Sequence, residues 1–483
     1  MSAVLISGDV SASAQQVALR RIFDVQRLAF EHDRNPSSFE RIQRLKRLRR
    51  LILENRDSII KAVHADFGNR SIEESRIAEI GGTIANIDYA IQHVRKWMRL
   101  RRRSTSMWFM PGANRVIPQP VGVVGVMAPW NYPINLAVAP LASAIAAGNR
   151  VMVKMSELTP ATSGILRSLV ARHFDENEIA IICGDADVAA AFSSLPFDHL
   201  LFTGSTKVGR MVMAAAAKNL TPVTLELGGK CPVIVDSDYS IDEAARRILW
   251  GKTFNSGQTC VAPDYVLLPK GKTDLFAQAL KKHYKAHFPT GASADSYTSV
   301  IDRRSYDRLQ GLVKSASDAG AKIKAIEPHL PEHVEARKFP LTLVINPSVD
   351  SRIMQEEIFG PVLPVFEHDG IEHAIDQVNA GENPLGLYYF GNSTAGRKAV
   401  LEKTLSGGVA VNDVMLQFLQ VDLPFGGVGA SGFGRYHGKE GFETFSHLKP
   451  IFFQRGLGTF TGLKLLYPPY GGLARRLISM MGG

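Results

Sequence analysis

Cys260 ends the run Phe254-Asn255-Ser256-Gly257-Gln258-Thr259 and precedes Val261-Ala262-Pro263. Asn, Ser and Gly form turns, so this thiol is expected on a loop with one side accessible. Only the thiolate is a good nucleophile, and it needs a base or a dipole nearby. A base candidate, Glu226, lies upstream in Thr224-Leu225-Glu226-Leu227-Gly228-Gly229-Lys230. A carboxylate in a partly dry pocket has a raised pKa and can activate a water. Taken singly, a cysteine is more often a small buried hydrophobe, and a glutamate an exposed strand end. Further motifs change that balance.

Ala128-Pro129-Trp130-Asn131-Tyr132-Pro133 directly follows the apolar run 121–128. That run reads as a strand buried on both faces, and ligands bind beyond the carboxyl ends of such strands. The Asn131 amide could donate to a developing oxyanion; the plainer reading is a cap for the next helix. Lys154 and Glu157 follow a second short strand, 151–154, and suit a nucleotide ribose, with a surface ion pair as the alternative. Residues 202–209 read as strand, turn and helix, and Gly204, Ser205 and Gly209 would bring backbone N–H groups to a phosphate. Glu356-Glu357-Ile358-Phe359-Gly360-Pro361 could hold a ribose and flank a nicotinamide, or could pack Phe359 into a core. A literal G-x-G-x-x-G occurs at 427–432, but it neither follows a clear strand nor opens a clear helix. It is rejected as a dinucleotide fingerprint and read as a flexible loop.

The elements that must position these groups follow from periodicity. Residues 1 to about 100 repeat apolar positions at three and four and read as long helices (17–30, 42–63, 72–98). A hairpin-like arm follows around 104–120. Strands and helices then alternate from 121 to about 225, and the alternation restarts after Glu226 and runs to 412. The expected fold is α/β, with two doubly wound Rossmann-like domains and a small β oligomerisation arm. Residues 1–103 and 121–225 are assigned to cofactor binding and 226–423 to catalysis. Residues 104–120 and 424–460 are assigned to the arm and an active-site loop, and 461–483 to a tail.

The 483 residues are too many for one ordinary core. The net charge of +10 is concentrated in two runs, Arg41 to Arg50 and Arg95 to Arg103. The first interleaves with Ile42, Leu45, Leu48 and Ile52 and reads as a solvated helix face. No nucleic-acid motif accompanies either run, so no specific nucleic-acid partner is expected. Three cysteines, Cys183, Cys231 and Cys260, argue for a reducing compartment, and no spacing suits zinc, so no metal is expected. Residues 1–7 lack the basic start and apolar core of a secretory leader, and a cytoplasmic location is the expectation. The basic amphipathic piece 473–481 is expected to pack on its own protein, with a membrane surface as the alternative.

Taken in order, Pro129-Trp130-Asn131-Tyr132-Pro133, Phe202-Thr203-Gly204-Ser205, Glu226-Leu227-Gly228-Gly229-Lys230, Gly257-Gln258-Thr259-Cys260 and Glu356-Glu357-Ile358-Phe359-Gly360-Pro361 resemble the NAD(P)-dependent aldehyde dehydrogenase superfamily over nearly the whole chain. The run 258–265, the short N-terminus and 466–470 resemble its class 3 branch, and within it the bacterial coniferyl aldehyde dehydrogenases. The resemblance implies that Cys260 is the nucleophile and Glu226 the hydrolytic base. Asn131 and the Cys260 backbone N–H would form the oxyanion hole. Trp130, Lys154, Glu157, Gly204, Ser205, Gly209, Glu357 and Phe359 would surround the cofactor. It implies NAD first, with NADP left open, a small-molecule aldehyde as substrate, either aromatic such as coniferaldehyde or medium- to long-chain, and a homodimer. The alternatives are a coenzyme A-acylating enzyme, against which Glu226 speaks, and a non-catalytic binding protein on the same scaffold.

Overall fold

The computed structural model describes residues 12–455 and 467–482. The segment read as lacking a leader, and the first part of the 461–483 tail, lie outside the described residues. The helical opening consists of Ala12–His32, Ser38–Glu54, Arg56–Phe67 and Gly82–Trp97, with a short helix Ile72–Ser75 and a π-helical turn Arg76–Gly81 before the last. The expected helix 42–63 is two helices, broken at Asn55. The first is started by a capping box between Ser37 and Glu40.

The strands, in chain order, build three sheets. β1 (Arg101–Arg103) and β2 (Ala113–Pro120) begin a small antiparallel arm. β3 (Val123–Met127), β4 (Arg150–Lys154), β5 (Ile179–Ile182), β6 (His199–Gly204) and β7 (Val223–Leu227) form a parallel sheet in the order β7-β6-β3-β4-β5. β8 (Pro232–Val235), β9 (Tyr265–Pro269), β10 (Lys322–Ala325), β11 (Thr342–Ile345), β12 (Val362–His368), β13 (Gly386–Phe390) and β14 (Gly408–Val411) form a second sheet, ordered β10-β11-β12-β9-β8-β13-β14 and parallel except at β10. β15 (Gly432–Phe433) returns to pair antiparallel with β7, and β16 (Ser446–Phe453) returns to pair with β2 along its full length. Two doubly wound parallel-rich sheets plus a β arm are the expected architecture. The residue 225/226 boundary falls inside β7, every residue of which belongs to the first sheet.

Parallel pairing decides where the site must be. The carboxyl ends of β3, β4, β6 and β7 share one edge of the first sheet. That edge therefore carries Trp130 and Asn131, then Lys154 and Glu157, then Gly204 and Ser205, then Glu226. In the second sheet, Cys260 precedes β9 and Glu357 and Phe359 precede β12, and these strands are parallel neighbours. Their amino ends share one edge. The site forms where the two edges meet.

Two readings of the sequence need correction. Arg41 is not on a solvated face: it is 1% exposed. Its guanidinium donates to the carbonyls of Pro36 (2.9 Å), Ala146 (3.0 Å) and Ala147 (2.6 Å), and to Asn35 Oδ1 (2.8 Å). It thereby satisfies the orphan carbonyls of the buried helix Asn135–Ala147, which stops at Gly148 with φ 97°. Residues 427–432 are likewise not a free loop. Ser431 is fully buried, its hydroxyl bonds both the N–H and the carbonyl of Val428, and Gly432 lies opposite Glu226 in the β15–β7 pair.

Charge-assisted bonds to carbonyls contribute about 1.5–3 kcal/mol each. Arg41→Ala should therefore lower the melting temperature by about 5–10 °C, whereas Arg50→Ala, at an exposed position of the same helix, should leave it within about 1 °C. Differential scanning fluorimetry of the two variants checks this.

Candidate active site

The loop before Cys260 is strained. Asn255 (φ 50°, ψ 32°) and Ser256 (φ 54°, ψ 33°) are left-handed, as is Gly257 (φ 70°). Such non-glycine conformations persist only where the surroundings over-determine them. Here the Asn255 N–H donates to Glu74 Oε2 at 3.0 Å, and its side-chain amide donates to the carbonyls of Asn131 and Gln258, both at 3.1 Å. The Gln258 amide donates to the carbonyls of Asn255 and Ser299, and its oxygen accepts from the Ile301 N–H. Cys260 emerges half-buried from this lattice. Behind it, the Cys231 thiol meets the Cys260 carbonyl at 3.4 Å.

Asn131 is brought to this loop from the first sheet, its Nδ2 donating to the Gln258 carbonyl at 3.2 Å. It does not cap the following helix; Glu79 accepts the first N–H groups there instead. The neighbouring Tyr132 hydroxyl bonds Thr259 Oγ1 at 2.6 Å.

Glu226 lies on β7, 2% exposed, and neither carboxylate oxygen has a hydrogen-bond partner among the described residues. Burial holds its pKa well above the usual carboxylate range, with Arg435 opposing. The Cys260 thiol is raised by burial first, then by the Glu357 and Glu226 carboxylates, so both acids act electrostatically on the sulfur. Glu357 itself is pushed up to about 8 by burial and then by Asp264. Its backbone is fixed by Arg308, which donates to the carbonyls of Glu357 (3.1 Å) and Ile358 (2.5 Å). Gly228 packs against the Glu357 carboxylate with no space for a side chain between them.

Phe359 (φ 50°) meets the Trp130 ring edge-on at 5.3 Å, which joins the two sheets beside the Cys260 loop. Lys154 is buried and donates to the Met155 carbonyl at 2.8 Å. Its ammonium pairs with half-exposed Glu157 at 3.8 Å, and burial lowers its pKa. Ser205 caps the helix Thr206–Ala217, and Gly209 lets that helix lie on Leu227, where a Cβ would come within 2.6 Å of the Leu227 side chain. The site residues singled out in the sequence thus gather at the two facing edges. Arg70, Glu79, Glu74, Asn255 and Gln258, which hold them, are not among the residues that the sequence singles out. Gln258 and Asn255 stand beside the cysteine, which is a signal; the other three carry none in the local sequence. Among the described residues, no group of three or more His, Cys, Asp or Glu side chains is arranged to hold a metal.

The arrangement offers a thiol, an unpartnered buried carboxylate and an amide donor at one seam. The profile described as "Aldehyde dehydrogenase family" matches residues 7–451. The chain belongs to the aldehyde dehydrogenase family, a class of oxidoreductases acting on the aldehyde group. It is 47% identical over 460 residues to a "Probable coniferyl aldehyde dehydrogenase" of Pseudomonas aeruginosa, covering 95% of each chain. Among solved structures, it is similar to a substrate-bound state of Staphylococcus aureus AldH, with TM-score 0.90, 35% identity and coverage of 96% of this chain and 99% of that one. It is also similar to a Mycobacterium tuberculosis aldehyde dehydrogenase complexed with NAD+, with TM-score 0.81, 26% identity and coverage of 94% and 92%.

Because burial and two carboxylates raise the Cys260 thiol, its alkylation by iodoacetamide should keep accelerating above pH 8, with no plateau near neutrality. Glu357→Gln removes one of those charges and should speed alkylation at pH 8 by about threefold or more. Peptide mass spectrometry resolves Cys260 from Cys183 and Cys231.

Proposed function

We propose that the chain oxidises an aldehyde to the carboxylic acid with NAD(P)+ and water, and that its substrates are aromatic aldehydes such as coniferaldehyde. The observation that carries the reaction class is the Glu226 carboxylate, buried beside the Cys260 loop and without a partner among the described residues. A buried acid with free lone pairs and a raised pKa is suited to take a proton from a water. The aromatic substrate is supported by the relatives bearing the coniferyl aldehyde dehydrogenase name.

In this reading the Cys260 sulfur attacks the aldehyde carbon, giving a thiohemiacetal. The Asn131 amide and the Cys260 backbone N–H stabilise the oxyanion. NAD(P)+, when bound, supplies the hydride acceptor. With the hydride taken up by the cofactor and the thiol's proton released to solvent, a thioester would remain on Cys260; Glu226 would take a proton from the water that attacks it, the carboxylic acid would leave, and the expelled thiolate would regain the proton from Glu226. The residues suit a dinucleotide. The exposed helix start at Ser205 offers N–H groups to a pyrophosphate, Glu157 offers an exposed carboxylate to a ribose, and Glu357 lies against Gly228 near the thiol. The first sheet serves as the cofactor-binding unit and the second as the catalytic one. The arm joins two copies through its outer strand β16, which carries the exposed Phe452 and Phe453. The protein works in the cytoplasm.

Reduced-cofactor formation with coniferaldehyde, benzaldehyde and short aliphatic aldehydes, with and without coenzyme A, tests the proposal. Turnover should favour the aromatic aldehydes and ignore coenzyme A, and Cys260→Ala should lose about 10⁴-fold or more. Full activity in Cys260→Ala would end the proposed mechanism. NAD should be preferred, since Glu157 accepts from a ribose hydroxyl and repels a 2′-phosphate. Glu157→Gln should shift the NADP-to-NAD ratio of kcat/KM toward NADP by about tenfold.

A further inference from the structure

Arg70 and Glu79 form an ion pair with both side chains fully buried, Arg70 Nη1 to Glu79 Oε1 at 3.3 Å. Its stabilising value is low, because desolvation offsets most of the attraction in such pairs. The pair is also not fully bonded: among the described residues, Arg70 Nε and Nη2 and Glu79 Oε1 make no hydrogen bonds. What the pair does make is a set of bonds to one loop. Arg70 Nη1 donates to the Asn131 carbonyl at 2.7 Å. Glu79 Oε2 accepts from the N–H groups of Ile134 (3.1 Å) and Asn135 (2.9 Å). The helix that begins there has no cap from its own N-cap side chain. The segment 131–135 is therefore hung at both ends from a single charge pair.

The pair also reaches the nucleophile loop. The Arg70 guanidinium lies between the rings of Phe67 (4.7 Å) and Tyr132 (4.8 Å), and the Tyr132 hydroxyl bonds Thr259, the residue before Cys260. The same Asn131 carbonyl takes a second bond from the Asn255 amide in the strained turn. Glu79 stands in the π-helical turn Arg76–Gly81, a local distortion often found at functional sites.

We propose that Arg70 and Glu79 are positioning residues for the reaction: by pinning the Asn131 peptide to the Cys260 loop, they set where the Asn131 amide meets the developing oxyanion. This rests on the oxyanion role of Asn131 proposed above. Neither residue touches the substrate, so the effect should fall on kcat rather than on binding.

The test is a double-mutant cycle on the full-length protein with coniferaldehyde and NAD+. Replacing both charges together, Arg70→Met with Glu79→Met, leaves no lone buried charge, and pairs replaced in this way usually fold. The expected result is a melting temperature near the parent's, unchanged cofactor affinity by fluorescence and a kcat about 30-fold lower. In an Asn131→Ala background, the same pair should cost less than twofold more. Should the double variant not fold, Arg70→Lys keeps the charge but not the fork, and should lower kcat about tenfold. Asn131→Ala losing 100-fold while either charge variant keeps kcat within twofold overturns the positioning role alone. Asn131→Ala retaining full kcat overturns the oxyanion reading itself, and the positioning role with it.

Discussion

Three consecutive left-handed residues, Asn255, Ser256 and Gly257, turn the chain sharply just before Cys260. For the two that are not glycine this costs on the order of 1–3 kcal/mol each, and it is held only by side chains from elsewhere. Glu74 takes the Asn255 N–H, Gln258 bonds across the turn to residues 299 and 301, and the Asn131 carbonyl receives the Asn255 amide. The cysteine's place at the seam between two sheets depends on these bonds. So does the approach of Asn131, whose own amide closes the circuit at the Gln258 carbonyl.

The electrostatics of the seam follow from the same packing. Glu226 and Glu357 are raised by burial, and together they raise the thiol. A site of this kind holds its protons until a ligand brings compensating charge or hydrogen bonds. A pyridinium or a polarised carbonyl entering the seam would favour the thiolate by the same Coulombic rule. The protein's contribution is then a dry, fixed arrangement in which the sulfur and the two carboxylates are kept within electrostatic reach of one another.

Much of this was legible in the chain. The buried run 121–128, the strand-turn-helix at 202–209 and the restart after Glu226 foretold two parallel sheets, because apolar periodicity records which faces are buried. Cys260 and Glu226 stood out because turn formers and glycines lie beside them. Buried charge was not legible. Arg41 sits in a basic run indistinguishable from a solvated face, and the carbonyls of Ala146 and Ala147, more than 100 residues away, place it inside. Arg70 and Glu79 look like ordinary surface residues for the same reason. The 427–432 run reads as loose because glycine carries no apolar signal, yet Gly432 permits a close approach to β7 that a periodic pattern cannot encode.

In the proposed reaction Cys260 carries the acyl group and Glu226 releases it. Its most direct test is to mix Glu226→Gln protein with coniferaldehyde and NAD+, quench with acid after about one turnover time, and weigh the Cys260 peptide. The account predicts an added acyl mass on Cys260 that persists in the variant and is far weaker in the parent. An unmodified Cys260 accompanied by stoichiometric reduced cofactor would contradict it.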